Sequence, residues 1–313
     1  MSWVMRQRER YADPDPWYKY ADYNMILCTQ YRREFETGGI RLAEMLFKSN
    51  ILAVVGGGEV PKYPPNKVIM WDDYQGRAIG ELGFKTVVRN VKLRRDRIAV
   101  ALEQKVLVYD LEDLRLVHQT ETHSNLQGLL ALCPSSDAIV LACPGLSIGQ
   151  VRIDLLDTKR MKIIQAHNRN LACLSLTSNG KYVSTASEKG TLIRIFSTSD
   201  GSKIREVRRG TDPARIWSIA FSHEDMPHWL GVTSDKGTLH VFDLRGDEED
   251  VEEGYQLVES TGASSTGSFS LLKVLLLFTR LTILRMYVYS ACFRSFSSLS
   301  AEHAPSGKGL PGI

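Results

Sequence analysis

Five short stretches of this chain share one pattern and recur at nearly regular intervals. Each contains alternating apolar residues and ends in or next to an aromatic residue, an Asp or a Ser. The stretches are KVIMWDD (67–73), KVLVYDL (105–111), QVRIDLL (150–156), TLIRIFS (191–197) and TLHVFDL (238–244). Aligning Trp71, Tyr109, Asp154, Phe196 and Phe242 gives intervals of 38, 45, 42 and 46 residues. A period of this length indicates one structural unit built several times over.

The residues between these stretches predict what each unit is. In 172–207 the turn sequences SNG, SEKG and SDG separate four runs of strand-like alternation. Gly and Asn at such positions are typical of the tight turns that join antiparallel strands. No long helical period interrupts the pattern, and about 40–45 residues per unit is the length of a four-stranded WD40 blade. The sequence therefore predicts an all-β, WD40-type β-propeller, with about five blades clear.

The two ends depart from the repeat. We predict a divergent N-terminal segment (1–30), propeller blades (31–246), an acidic and Ser/Gly-rich linker (247–267) and a divergent apolar-basic tail (268–313), partly disordered. The first residues have no apolar core of the kind that directs secretion. Three basic residues interrupt the apolar stretch 269–293, so it does not predict a membrane span. A ring ending after five blades would leave apolar edges, so we expect either poor closure by the tail or a shortened form of the propeller.

Composition excludes several classes of function. The formal net charge of +3 is too small to indicate a nucleic-acid partner, so any anion site must be local. The five cysteines contain no Cys-x-x-Cys pair and no metal-ligand spacing, which favours buried, reduced thiols in a cytosolic protein. The Gly-rich stretch 54–60 lacks the Gly-Lys-Ser/Thr ending of a phosphate loop and is interpreted as a blade connection. No catalytic grouping emerges, so we predict a binding module without a cofactor rather than an enzyme.

Two adjacent arginines end one predicted strand. Arg208 and Arg209 follow the run KIREV and precede Gly210. Successive side chains on a strand point to opposite faces, so the pair should place one positive charge on each side of its blade. A guanidinium is always charged and presents a planar fork of donors that suits phosphate. The pair therefore predicts two anion sites, one on each side of a single blade.

The residues around the pair resemble a known family. The run STASEKGTLIRIF (184–196), followed by VRRG (207–210), resembles the PROPPINs, as do YPPNKVIMWDD (63–73), LRRDRIAVALEQKVLVYDL (93–111) and LACPGLSIGQVRI (141–153). These are seven-bladed propellers that bind polyphosphoinositides, and they include the WIPI proteins of autophagy. The likeness covers about 31–245.

The resemblance implies two sites for a lipid headgroup. The first would use His167, Thr185, Ser187, Gly190, Thr191, Arg194 and Arg208. The second would use Arg209, Gly210, Ser234, Thr238 and His240. Gly210 is expected to let the backbone turn tightly and to leave room beside a ligand. The Ser, Thr and His residues also fit ordinary structural roles in a WD repeat. For them, two interpretations stay open: contact with the headgroup, or support of the fold.

The resemblance also implies a function and partners. It implies an adaptor that binds phosphatidylinositol 3-phosphate or phosphatidylinositol 3,5-bisphosphate, cytoplasmic and peripheral on preautophagosomal or endosomal/vacuolar membranes. The implied partner is the large lipid-transfer protein of autophagy, docking around 121–134. The stretch 269–293 is a second candidate for lipid contact. The alternatives are a soluble WD-repeat scaffold without lipid binding, and an unstable or regulatory fragment.

Overall fold

The computed structural model describes residues 38–223, 226–245 and 255–257. Within these residues the chain forms twenty β-strands. They assemble into five four-stranded antiparallel sheets, in each of which neighbouring strands follow one another along the chain. We name these sheets blades A to E in chain order. The prediction of an all-β propeller is confirmed.

The strands of each blade have the following bounds. Blade A contains β1 (Ile40–Met45), β2 (Ile51–Gly56), β3 (Lys67–Asp72) and β4 (Arg77–Gly83). Blade B contains β5 (Asn90–Leu93), β6 (Arg97–Ala101), β7 (Lys105–Asp110) and β8 (Leu116–Glu121). Blade C contains β9 (Ala131–Leu132), β10 (Val140–Pro144), β11 (Gln150–Leu155) and β12 (Arg160–Gln165). Blade D contains β13 (Leu171–Leu176), β14 (Tyr182–Ser187), β15 (Leu192–Ser197) and β16 (Lys203–Arg208). Blade E contains β17 (Ile216–Phe221), β18 (Trp229–Ser234), β19 (Leu239–Asp243) and β20 (Tyr255–Leu257).

The five repeated stretches all become the third strand of a blade. They correspond to β3, β7, β11, β15 and β19. The third strand, like the second, lies between two others in its sheet, and the neighbouring blades cover its faces, so most of its side chains are buried or half-buried. This burial accounts for the apolar residues by which the repeat is recognised in the sequence.

The blades pack against one another face to face. The first strands of consecutive blades are neighbours, from β1 beside β5 to β13 beside β17. The fourth strand of each blade therefore lies on the outside of the propeller, at its rim. Four hydrophobic clusters fill the A–B, B–C, C–D and D–E junctions. Ile193 and Phe242, for example, are both fully buried in the D–E cluster, and each such side chain contributes about 1.5–3 kcal/mol through its burial.

The fifth blade extends beyond its predicted end. Strand β20 pairs with β19 and lies inside the stretch that the sequence assigned to the linker 247–267. Three residues are enough for an antiparallel edge strand but too few to show an alternating pattern. The segment 1–30 and the tail 268–313 lie outside the described residues.

Candidate headgroup sites at the rim of blade D

Arg208 and Arg209 lie at the end of the rim strand β16. Val207, just before them, is buried in the cluster between blades D and E. Arg208 is exposed and stands opposite Leu192 of β15, on the face of blade D that is turned toward blade C. Arg209 follows on the other face, and its main-chain N–H donates to the Thr191 carbonyl at 2.9 Å. The two guanidinium groups therefore lie on opposite sides of one blade.

On the side of blade C, a buried histidine and an arginine lie together. The Nε2 atom of His167, in the connection that follows β12, is 3.0 Å from the Thr185 hydroxyl of β14. Thr185 stands opposite Arg194 of β15. The Arg194 Nη1 atom donates to the Ala166 carbonyl at 2.6 Å, across the junction between the blades. Its Nε atom donates to the Glu206 carboxylate at 2.7 Å.

Burial and charge decide how these groups titrate. Burial, together with the nearby charge of Arg194, lowers the pKa of His167 to about 4. The imidazole is therefore neutral at pH 7 and contributes hydrogen bonds rather than charge. Burial raises the pKa of Glu206, but the hydrogen bond and charge of Arg194 outweigh it and hold that pKa below its usual range. Glu206 is consequently a carboxylate at neutral pH.

Three residues that the resemblance placed in the first site lie at or next to the turn between β14 and β15. Ser187 and Thr191 are buried. Gly190, with φ of +65°, has its carbonyl turned toward Arg209, whose Nε donates to it at 2.8 Å. A Cβ atom at Gly190 would lie 1.8 Å from the Ala214 carbonyl oxygen, so only glycine fits there. This turn therefore supports Arg209 on the side of blade E as well as bordering the first site.

On the side of blade E, the structure has an open cleft of about 350 Å³. It is lined by Arg209, Gly210, Thr211, Asp212, Lys236, Thr238 and His240. Four residues assigned to the second site thus lie together: Arg209, Gly210, Thr238 and His240. Ser234, the fifth, is buried beside them, and its hydroxyl accepts the main-chain N–H of Lys236 at 3.4 Å. Ser234 supports the turn that carries Lys236 and is not among the residues that line the cleft.

The cleft combines fixed positive charge with neutral hydrogen-bonding groups. Arg209 is held by two main-chain carbonyls, those of Gly190 and Asp212. The Thr238 hydroxyl lies 3.1 Å from Nε2 of His240. Burial, and then the charge of Arg209, lower the pKa of His240, which favours the neutral imidazole at pH 7. Such a cleft can take an anion whose oxygens accept several hydrogen bonds.

Sequence reasoning missed Lys236, and it gave Gly210 a reason that the structure does not support. Lys236 belongs to the turn SDKG between β18 and β19, which repeats the turn SEKG of blade D. That repetition was a signal that could have found the lysine. Gly210 has no positive φ, and a Cβ atom there would meet nothing within 4 Å. The backbone therefore does not need glycine at 210.

The described residues also bear on cysteine chemistry, metal binding and membrane spans. Cys133 and Cys143 are buried free thiols, Cys173 is a partly buried one, and Cys28 and Cys292 lie outside the description. Burial raises the pKa of Cys143 to about 12, so its thiol stays protonated. No group of His, Cys, Asp and Glu able to hold a metal ion occurs in the part of the chain that the structure describes. In that same part, no helix is long and apolar enough to cross a membrane.

Comparison with known proteins decides the family. The sequence model of the PROPPIN family matches residues 26–265, more than half of the chain. The chain belongs to the PROPPIN family. The resemblance inferred from its motifs is confirmed, and the match includes strand β20.

Individual relatives and solved structures show how similar this chain is to known proteins. Autophagy-related protein 18e of Arabidopsis thaliana is 45% identical over 229 residues, which cover 73% of this chain and 60% of that protein. The chain thus spans about 60% of the length of this curated relative. The crystal structure of Hsv2 from Kluyveromyces marxianus matches with a TM-score of 0.58 and 26% identity, covering 69% of this chain and 67% of Hsv2. The complex of KlAtg21 with the coiled coil of AgAtg16 has the same fold, with a TM-score of 0.59 and 23% identity over 69% of this chain and 71% of KlAtg21.

Proposed function

We propose that this PROPPIN is an adaptor that binds phosphatidylinositol 3-phosphate or phosphatidylinositol 3,5-bisphosphate on autophagic membranes. The observation that carries the proposal is the placement of Arg208 and Arg209 on opposite sides of blade D, with Arg208 on the face that carries Arg194 and Arg209 in a cleft with Thr238 and His240. One rim strand thereby serves two sites. An ordinary scaffold propeller has no need of this arrangement.

The chemistry of an inositol phosphate suits both sites. A phosphate group offers several oxygen acceptors and dense negative charge, which a guanidinium meets with paired donors. The inositol hydroxyls both donate and accept, as do the side chains of Thr185 and Thr238. Neutral histidines add hydrogen bonds without fixing the protonation state of the phosphate. A headgroup, rather than an isolated anion, would use all of these partners at once.

Two neighbouring sites on one rim favour a membrane over a soluble ligand. Each headgroup contact alone would be weak. Once the first headgroup is bound, the second site meets a high local concentration of lipid on the same surface. The protein would then reside peripherally on preautophagosomal or endosomal/vacuolar membranes and exchange with the cytoplasm.

The remaining blades would hold a protein partner. We assign this role to the segment 121–134, which includes the connection between β8 and β9 and the exposed Leu126. The partner would be the lipid-transfer protein of autophagy. A fold neighbour that carries a bound coiled coil supports a propeller of this kind as a docking platform.

Flotation of the full chain on vesicles tests the proposal. Vesicles with and without phosphatidylinositol 3-phosphate are compared for the wild type, for Arg208→Thr/Arg209→Thr and for Arg77→Thr/Arg160→Thr. The last variant removes the same charge from the first residues of rim strands β4 and β12, away from both sites. We expect the wild type and the Arg77/Arg160 variant to float only with the lipid, and the Arg208/Arg209 variant to stay in solution. A folded wild type that never floats, or an Arg208/Arg209 variant that floats equally well, would leave the scaffold function as the better account.

A further inference from the structure

The two candidate sites differ in what holds their arginines. On the side of blade C, Arg194 makes an ion pair with Glu206, with 2.7 Å between Nε and Oε2. The same carboxylate lies 3.8 Å from the ammonium group of Lys203. On the side of blade E, the Arg209 guanidinium is held by main-chain carbonyl oxygens. One arginine is already paired with a negative charge, and the other is oriented by neutral oxygens.

Glu206 also stands beside the other arginine of the first site. Glu206 and Arg208 are two residues apart on β16, so they share a face and their Cα atoms are about 7 Å apart. Glu206 is opposite Arg194 in the register, and Arg208 is opposite Leu192. A phosphate placed between the guanidinium groups of Arg194 and Arg208 would therefore meet the Glu206 carboxylate. Within the described residues, Arg208 itself has no ion pair, so it is available to such a phosphate.

We propose that Glu206 is a built-in competitor for the first site, so that this site binds a phosphate more weakly than the second and fills after it. The inference rests on the proposed function, because it concerns the same two headgroup sites. A carboxylate and a phosphate oxygen compete for the same guanidinium donors. Binding at the first site must either displace Glu206 from Arg194 or accept its repulsion, whereas the second site requires neither.

The second cleft contains an acidic residue too, but it is placed differently. Asp212 contacts Arg209 through its main-chain oxygen, and its side chain belongs to an exposed loop. A carboxylate on an exposed loop is screened by water and salt. The Glu206 side chain is only 30% exposed, so its charge acts more strongly on its neighbours. Lys236 adds a second positive charge to the cleft.

Binding of a soluble headgroup to single-site variants tests this inference. The probe is inositol 1,3-bisphosphate, measured by titration calorimetry with the full chain. Arg209→Thr leaves the first site and Arg208→Thr leaves the second. We expect the first site alone to bind several-fold more weakly than the second. Adding Glu206→Gln to Arg209→Thr should tighten the remaining site about five- to tenfold, because one negative charge beside the phosphate is removed.

Two comparisons separate local competition from a general change of charge. Glu81→Gln is the matched control, because Glu81 occupies the equivalent position of the rim strand β4 and makes an ion pair with Lys67. It should leave the affinity of the first site unchanged. Glu206→Gln in the Arg208→Thr background should likewise leave the second site unchanged. Glu206→Asp, which shortens the side chain away from Arg194, provides a second route should the glutamine variant unfold, and it too should tighten the first site.

The outcomes distinguish this inference from the proposed function. Binding by the wild type with no tightening from either Glu206 variant overturns the competitor role and leaves the function standing. Equal tightening of both sites also overturns it, because the effect would then be a general one. The absence of headgroup binding in the wild type and in every variant overturns the proposed function, and the competitor role with it.

Discussion

Among single residues, His167 belongs both to the packed junction between blades C and D and to the first candidate site. Its ring is buried at the C–D junction, close to Arg194, and contacts the Thr185 hydroxyl. A protonated imidazole there would be a second positive charge without water around it. The native protein therefore keeps His167 neutral, which makes the stability of this junction sensitive to acid.

We predict a loss of stability at low pH that depends on His167. Its folded-state pKa of about 4 lies below the ordinary value of 6.5. Between these two values the unfolded chain binds the proton and the folded chain does not, so stability falls as the pH falls through this window. The loss is at most about 3 kcal/mol and is complete near pH 4. Thermal unfolding from pH 7.5 to 4.5 should show a smaller decline for His167→Gln than for the wild type, and parallel curves would contradict the prediction.

The side chains around the arginines could be predicted only in part from the sequence. Alternation along β16 correctly indicates that Arg208 and Arg209 diverge, because that follows from strand geometry alone. Whether a neighbour neutralises an arginine depends on the pairing of β15 with β16, which brings Glu206 to Arg194. A bulge between Ile195 and Phe196 shifts that register, and the linear sequence does not reveal it. The contribution of Lys236, in contrast, was indicated in the sequence by the repetition of SEKG as SDKG.

At the scale of elements, the turns before the third strands of blades D and E are matched but not equivalent. Gly190 and Gly237 occupy the same position of SEKG and SDKG, with φ of +65° and +72°. A Cβ atom at Gly190 would collide with the Ala214 carbonyl, whereas at Gly237 it would meet nothing within 4 Å. The first turn is packed against the connection to blade E, and the second is open.

This difference predicts unequal costs for the same substitution. Gly237→Ala should destabilise the protein by about 1 kcal/mol, because a left-handed backbone conformation disfavours alanine. Gly190→Ala should cost about 3 kcal/mol or more, since the strain is joined by a backbone collision. Gly210→Ala, at a position without either constraint, serves as the control near zero. Denaturant unfolding of the three variants measures these costs, and equal values for Gly190→Ala and Gly237→Ala would refute the packing of this turn.

At the scale of the whole molecule, the repeat predicted most of the fold. Apolar alternation and glycine spacing predicted the third strands, the turns and the number of clear blades. They could do so because every blade packs against its neighbours in the same way. The outer strand β20 did not follow, since three residues carry no period. Contacts between blades also escaped prediction. Asp154 of blade C, for instance, is buried against Arg152 of its own blade and Thr120 of blade B.

The buried contact of Asp154 predicts how much the junction between blades B and C contributes to the free energy of unfolding. At the B–C junction, Asp154→Ala would leave the Arg152 guanidinium without this acceptor and the Thr120 hydroxyl with only the His118 Nε2 atom, 2.8 Å away. Breaking a fully buried ion pair by removing one partner costs about 3–5 kcal/mol, and because the Arg152 side chain is 22% exposed the loss here should lie at or below the lower end of that range. We expect a comparable drop in the free energy of unfolding, measured with denaturant. Exposed Asp113→Ala, which breaks a surface pair with Arg115, should change stability far less. Similar costs for the two variants would argue against the buried contact.

Two separate headgroup sites on one rim strand require two bound ligands per chain, so we would count the ligands. Saturating the full chain with inositol 1,3-bisphosphate in a calorimeter should give two ligands for the wild type and one for each of Arg208→Thr and Arg209→Thr. The Arg208→Thr/Arg209→Thr double variant should bind none while it still unfolds in one cooperative transition. A wild type that binds a single ligand, lost completely when either arginine is replaced, would show that the pair forms one site and would contradict the account.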